Sequence, residues 1–209
     1  MHIGLLCLPE IFQNNGRSVV NKQFEKALID YATNHKITIL NPLTFTEKQI
    51  SKILKECPLD VLHHQGPDIF RAMEYKRLNP KPMVVTGITH SLGSDPYLQW
   101  LYMTLFARPK ESDCLFCTSE QAKLAISKMQ QGLSINLNLV IQKLGIFTEE
   151  FKFNENKESN HKINILYFGR LSPLTKCNLL PVIDMVCEAQ KSSNKKNKIN
   201  NRWLWSFVC

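Results

Sequence analysis

Short apolar runs and amphipathic segments alternate along the first 145 residues of the chain. Runs at Ile3–Leu8, Lys36–Leu40, Asp60–His64, Met83–Thr89 and Asp113–Cys117 predict five strands. Between them Phe24, Ala27, Leu28 and Tyr31, then Ile50, Ile53, Leu54 and Cys57, then Ala122, Ala125, Ile126 and Met129 each follow an i, i+3, i+4, i+7 spacing. That spacing sets four apolar groups on one face of a helix. Segments 68–78 and 97–107 have the length and position of two further helices. Two starts are marked: Thr46 to Gln49 and Thr118 to Gln121 match the capping box, in which a hydroxyl and an amide satisfy the first free backbone N–H groups.

Strand-helix alternation with near-continuous apolar strands implies a parallel sheet covered on both faces by helices and joined by right-handed crossovers, a Rossmann-like α/β domain. The expected domain covers residues 1–147. Residues 148–162, TEEFKFNENKESNHK, are polar without an apolar period and read as a linker. A new strand at Ile163–Phe168 and a helix with Leu179, Val182, Ile183 and Val186 on one face follow, so 163–190 reads as an incomplete second α/β domain. Residues 191–209 form a basic tail with neither period.

Composition narrows the class. A 209-residue chain with 44% hydrophobic and 21% charged residues is not a disordered, collagen-like or disulfide-stapled one. No stretch reaches the roughly 20 apolar residues of a membrane span. The start MHIGLLCLPE lacks the basic lead and long apolar run of an export signal. Seven cysteines, an odd number scattered through apolar runs, fit reduced thiols, and the expected location is cytoplasmic. Cys114 and Cys117 form a C-x-x-C, but on a strand residues three apart point to opposite faces, so no metal site is expected there. The net charge is +8, yet five of the 26 basic residues lie from Lys191 onward, where no acid occurs; without them 21 face 18 acidic residues. The tail's Trp203, Trp205 and Phe207 follow the charges instead of alternating with them, so no nucleic-acid partner is expected. A basic tail ending in aromatics does suit peripheral contact with an anionic membrane surface.

In open parallel sheets ligands bind beyond the carboxyl ends of the strands. After the first strand, Asn14, Asn15 and Gly16 tolerate positive φ and lead toward a helix N-terminus suited to an anion or an acceptor hydroxyl. A G-x-G-x-x-G fingerprint is absent. His63 and His64 end the third strand; alternation sends one to each face, so at most one should reach a cleft. His90 follows the fourth strand, where an imidazole can do acid/base or hydrogen-bond work. In INILYFGRLSPLTKCNLLPVIDMV, Gly169 permits a sharp turn, and Arg170 and Lys176 sit on a strand-to-helix loop with a helix opening near Cys177 or Asn178. Together they would converge on one anion, most naturally a diphosphate.

This last segment resembles the start of the C-terminal domain of the retaining nucleotide-sugar glycosyltransferases of family 4, which have the GT-B architecture: strand, Gly-Arg-Leu, a lysine a few residues on, and a leucine-rich helix. The earlier strands ending Val-Thr-x-x-x-His and Thr-Ser-Glu are similar in layout, and the likeness in pattern runs over roughly residues 1–190. The resemblance implies two facing Rossmann-like domains, the first binding a carbohydrate or lipid acceptor and the second a nucleotide-diphosphate-sugar. It implies that Arg170 and Lys176 hold the donor diphosphate, that His90 stands near the reacting sugar, that Asn15 and Gly16 belong to the acceptor or phosphate loop, and that neither cofactor nor metal is needed.

The family's later Glu-x7-Glu pair is matched in spacing only by Glu150 and Glu158, which lie before the Gly-Arg turn. After Gln190 the pattern gives way to the Lys/Asn-rich tail, as in a frameshifted or truncated reading of a longer gene. Two readings therefore stand: a glycosyltransferase homologue with an incomplete donor domain, or a non-catalytic Rossmann-like module that binds a partner chain or a carbohydrate.

Overall fold

A computed structural model of the chain describes residues 1–7, 16–41, 44–90, 92, 95–145, 147–150 and 178–192. Strands and helices alternate as β1 (His2–Leu6), α1 (Gly16–Tyr31), β2 (Lys36–Leu40), α2 (Glu47–Glu56), β3 (Val61–His64), α3 (Phe70–Lys76), β4 (Val84–Ile88), α4 (Asp95–Phe106), β5 (Cys114–Cys117), α5 (Glu120–Leu133) and β6 (Asn138–Ile141). Every pairing is parallel, and the strand order is β2-β1-β3-β4-β5-β6. The Rossmann-like α/β architecture is the one the alternation predicts.

Strand order and handedness together place the helices. From β1 the chain steps to one side to reach β2, and every later crossover steps the other way. Right-handed connections therefore put α1 on one face and α2 to α5 on the opposite one. The core divides accordingly. Leu5 and Cys7 pack with Phe24, Leu28 and Ile39 under α1. Leu6, Leu40, Leu62, Val85 and Leu115 pack beneath Ile50, Leu54, Ala72, Leu101, Leu105 and Ile126 of the other helices. Each fully buried leucine or isoleucine contributes roughly 1.5–3 kcal/mol of transfer free energy.

Local signals are realised with informative exceptions. Thr46 caps α2 as expected: its hydroxyl accepts from the Gln49 amide at 3.3 Å, and Gln49 Oε1 accepts from the Thr46 amide at 2.8 Å. At α5 the cap is Ser119, not Thr118; Ser119 accepts from the Ala122 amide at 3.1 Å. Thr118 is committed to β4 instead, its amide donating to Thr89 Oγ1 at 3.1 Å, which leaves the next hydroxyl to start the helix. Tyr31, expected on the buried face of α1, is 75% exposed because it ends the helix. Ala125 is likewise exposed. A sixth strand, β6, is absent from the expected set, although Leu137 and Leu139 are buried while Asn138 and Val140 face out. That period of two is the mark of a half-buried edge strand.

The chain forms two compact units, Met1–Ile146 and Phe147–Cys209. In the second, Thr148–Glu150 is a short 3-10 turn and α6 spans Leu180–Ser192. Asn178 Oδ1 accepts from the Leu180 amide at 3.1 Å, so the helix opens where the sequence places it. The strand expected at 163–168, with Arg170 and Lys176, lies outside the described residues, as do most of the linker and the tail. Among the described residues no helix is long and apolar enough to cross a membrane.

Candidate functional site

The crossovers from β1 and into β3 diverge, so the carboxyl ends of these two neighbouring strands flank the topological switch point, where open parallel sheets bind ligands. Leu6 pairs with His64, and His64 with Gly87, so β1, β3 and β4 end on one edge. Cys7, Gln65, Thr89 and His90 follow directly. The N-terminal turns of α1 return over this edge, since Gln65 Nε2 donates to the Asn21 carbonyl at 3.2 Å.

The edge is polar and buried. Ser18, Asn21, His63, His64, Gln65, Asp68, Thr86 and Thr89 are all buried, among residue types that are seldom buried without partners. Four of their side-chain atoms, Asn21 Nδ2, Gln65 Oε1, His63 Nε2 and Asp68 Oδ1, are enclosed without a hydrogen bond among the described residues, Asp68 Oδ1 having only the His64 ring 3.5 Å away. An orphaned buried polar atom costs about 1–3 kcal/mol, so such a group near one edge marks a place where a polar ligand would recover energy.

His63 is the chemically best-defined member. Its ring lies 4.9 Å from that of Phe24 and 6.0 Å from that of Phe116, and its Nδ1 stands 2.9 Å from Thr86 Oγ1. Burial, joined by the charges of His64 and His90, pushes the imidazole down to about 3. The ring is therefore neutral at physiological pH and serves as a fixed hydrogen-bonding group, not as an acid. This depression has a stability consequence. The unfolded imidazole titrates near 6.5, so between that pH and about 3 the unfolded chain binds the extra proton, and the stability held above 6.5 is lost as pH falls. The share of His63 between pH 7 and 5 is about 2 kcal/mol. His2, also lowered chiefly by burial, adds in the same direction. Urea titrations at the two pH values should show His63→Leu losing about 2 kcal/mol less than the parent chain; equal losses would contradict a neutral buried ring.

The other groups take plainer roles. His64 Nδ1 lies 3.5 Å from Asp68 Oδ1, and Arg71 Nε lies 3.2 Å from Asp68 Oδ2. The two histidines thus serve opposite faces, as alternation requires. Burial and the Glu25 carboxylate push the Cys7 thiol up to about 12, which removes it as a nucleophile despite its place at the end of β1. Cys114 and Cys117 are buried thiols on β5, the latter pushed up to about 11 by burial. His90 stands half-buried just beyond β4, close enough to His63 for its charge to be felt there. Gly16 is the first residue of α1, whereas Asn15 is outside the described residues. Arg170 and Lys176 are outside them as well, so of the expected site residues the structure places His90 just beyond the sheet edge and Gly16 at the start of α1.

Sequence reasoning missed Asn21, Gln65 and Thr86, which read as ordinary polar positions until the fold buries them. Shallow depressions lie elsewhere, one lined by Lys48, Ser51, Lys52 and Leu78 and another along Lys22, Lys26 and Ile29 of α1. Both are open surfaces without a buried polar group. No protein-family model matches the chain, and no curated protein or solved structure matches it.

Proposed function

We propose that residues 1–147 are the acceptor-side half of a retaining glycosyltransferase, acting with residues from 163 onward on a nucleotide-diphosphate-sugar. One observation carries this reading: an all-parallel sheet presents a buried polar edge at its switch point, with His90 placed directly after β4. The resemblance of the Gly-Arg-Leu segment supplies the donor side.

In this reading sugar transfer leaves negative charge on the departing diphosphate. Arg170 and Lys176 neutralise it, the guanidinium through paired N–H donors and the ammonium as a point charge. Two preorganised cations perform this without a metal. His90 hydrogen-bonds near the reacting sugar, the neutral His63 and Gln65 receive hydroxyl groups of a carbohydrate or lipid acceptor, and Asn15 and Gly16 shape the loop before α1. A front-side reaction with retention needs no protein nucleophile, consistent with a Cys7 thiol held protonated. Free Cys7, Cys57, Cys114, Cys117 and Cys187 suit a reducing compartment such as the cytoplasm.

Calorimetric titration of the full chain with UDP- and GDP-sugars tests the reading. Saturable binding is expected, weakened at least about tenfold by Arg170→Ala as a charge-assisted diphosphate contact is lost. No nucleotide-dependent heat would remove the donor role. The second reading, a non-catalytic module binding a partner chain or carbohydrate, is favoured by one feature: Glu150 and Glu158 precede the Gly-Arg turn and cannot serve as the donor carboxylates. Carbohydrate binding without nucleotide binding would select it.

A further inference from the structure

The crossover helices run back against the strands, so the C-terminal ends of α2, α3 and α4 gather at the amino-terminal edge of the sheet, opposite the switch point. Lys76 Nζ of α3 meets the Asp113 carboxylate at 2.6 Å, and the same carboxylate accepts from the Lys110 amide, so the end of α3 lies beside the loop that leaves α4. The outward face of α4 is apolar. Its exposed positions Gln99, Tyr102, Met103 and Phe106 follow an i, i+3, i+4, i+7 spacing, and Asp95 is the one charged residue among the 12 of the helix. Phe106 is 66% exposed, and Leu78, just past α3, adds another bare apolar side chain. A continuous apolar stripe of this kind marks an interaction surface, unlike single exposed leucines. Charge on this edge is one-sided. Three of its acids are held by lysines: Glu56 by Lys52, Asp60 by Lys81 and Asp113 by Lys76. The exposed Lys36, Lys55, Arg77, Arg108 and Lys110 form no ion pair among the described residues, and only Glu74 and Glu111 stand against them.

We propose that this edge docks on an anionic membrane surface, with Tyr102, Met103 and Phe106 entering the interfacial layer and Arg77, Arg108 and Lys110 meeting lipid phosphates. An apolar stripe bordered by cations is the pattern of a chain that lies on a bilayer: burial of the stripe and attraction to acidic headgroups add together. Other occupants fit less of the surface. A second copy would set like charges against one another, and a nucleic acid would take the cations but leave Met103 and Leu78 in water. Docked in this way, the switch point at the opposite ends of the strands faces away from the bilayer. The contact is independent of the Lys/Asn-rich tail and of the sugar-transfer reading.

The test floats the full chain with vesicles of phosphatidylcholine alone or with about one third phosphatidylserine, at low and high salt. The parent chain should partition onto the phosphatidylserine vesicles, and salt should weaken the binding. Combining Tyr102→Ser with Phe106→Ser should lower the partition coefficient roughly tenfold by removing apolar contact. Combining Arg108→Asn with Lys110→Gln should lower it by roughly tenfold at low salt and by much less at high salt. Asparagine is chosen because Arg108 has φ 53, a conformation that asparagine tolerates. All four side chains are exposed, so both variants should keep the parent's circular dichroism and urea midpoint. Substituting the tail lysines Lys195, Lys196 and Lys198 by serine should leave the effect of both pairs in place. Absence of parent binding to phosphatidylserine vesicles, or binding that follows the tail lysines and ignores both pairs in folded chains, overturns the proposal. So does a vesicle-free dimer that Tyr102→Ser with Phe106→Ser dissolves, because a second copy would then own the stripe.

Discussion

Asp113→Ala is expected to lower the unfolding free energy by about 3–5 kcal/mol, the range for breaking a buried charge pair by removing one partner. Asp113 is fully buried at the start of β5, and its carboxylate holds three elements at once. Oδ1 accepts from Lys76 Nζ of α3 at 2.6 Å and from the Val85 amide of β4 at 2.9 Å, while Oδ2 accepts from the Lys110 amide at 2.9 Å. Truncation strands the amide of Val85, itself fully buried, and leaves the Lys76 ammonium, whose side chain is 17% exposed, without its counter-charge. Asp113→Asn keeps one accepting oxygen but turns an amide toward donors, so it should recover only part of the loss. Urea midpoints at constant m-value measure both; a loss under about 1 kcal/mol for alanine would mean that Lys76 reaches solvent at no cost.

The same residue shows what a sequence conveys. Asp113 stands at the edge of an apolar run and reads as a strand boundary, which it is; two of its three partners, Lys76 and Val85, stand 37 and 28 residues away and leave no local trace. Elements set by short-range chemistry were legible in this way. The strand Lys36–Leu40 ends where its apolar run ends, and the Thr46 box caps α2, because both depend on neighbours along the chain. Ser119 displaced Thr118 as a cap since Thr118 is drawn to Thr89 across the sheet, a contact that no spacing encodes. The strand order β2-β1-β3 lies beyond periodicity too, and with it the switch point.

The candidate site divides along the same line. His90 could be singled out because a strand's carboxyl end is a local feature. His63 was recognisable as a histidine on a strand, but its neutrality follows from Phe24 and Phe116, which arrive from α1 and β5. Asn21 and Gln65 become informative only once α1 folds back over β3. Polar residues of this kind acquire meaning through burial, and burial is a property of the assembled sheet.

Gly87→Ala is the second large effect, expected to cost about 3 kcal/mol, the upper part of the range for overpacking a close-packed core. A Cβ on Gly87 would meet the Ile69 side chain and lie 2.6 Å from the Gly66 carbonyl oxygen. That carbonyl accepts from the Ile88 amide at 3.1 Å, so it cannot retreat without giving up the bond that ties the β3 loop to β4. Thr104 Oγ1 donates to the Pro67 carbonyl of the same loop at 3.0 Å, which closes a second route of escape. Because Gln65 and His64 lie at the head of this loop, the strain should reach the switch point as well as lower the urea midpoint. Gly132→Ala in α5 supplies the contrast. Nothing lies within 4 Å of its Cβ position, and alanine there should stabilise by about 0.5–1 kcal/mol through helix propensity. If the two substitutions shifted the midpoint alike, backbone entropy would govern both sites and the close approach of β4 to the β3 loop would carry no energy.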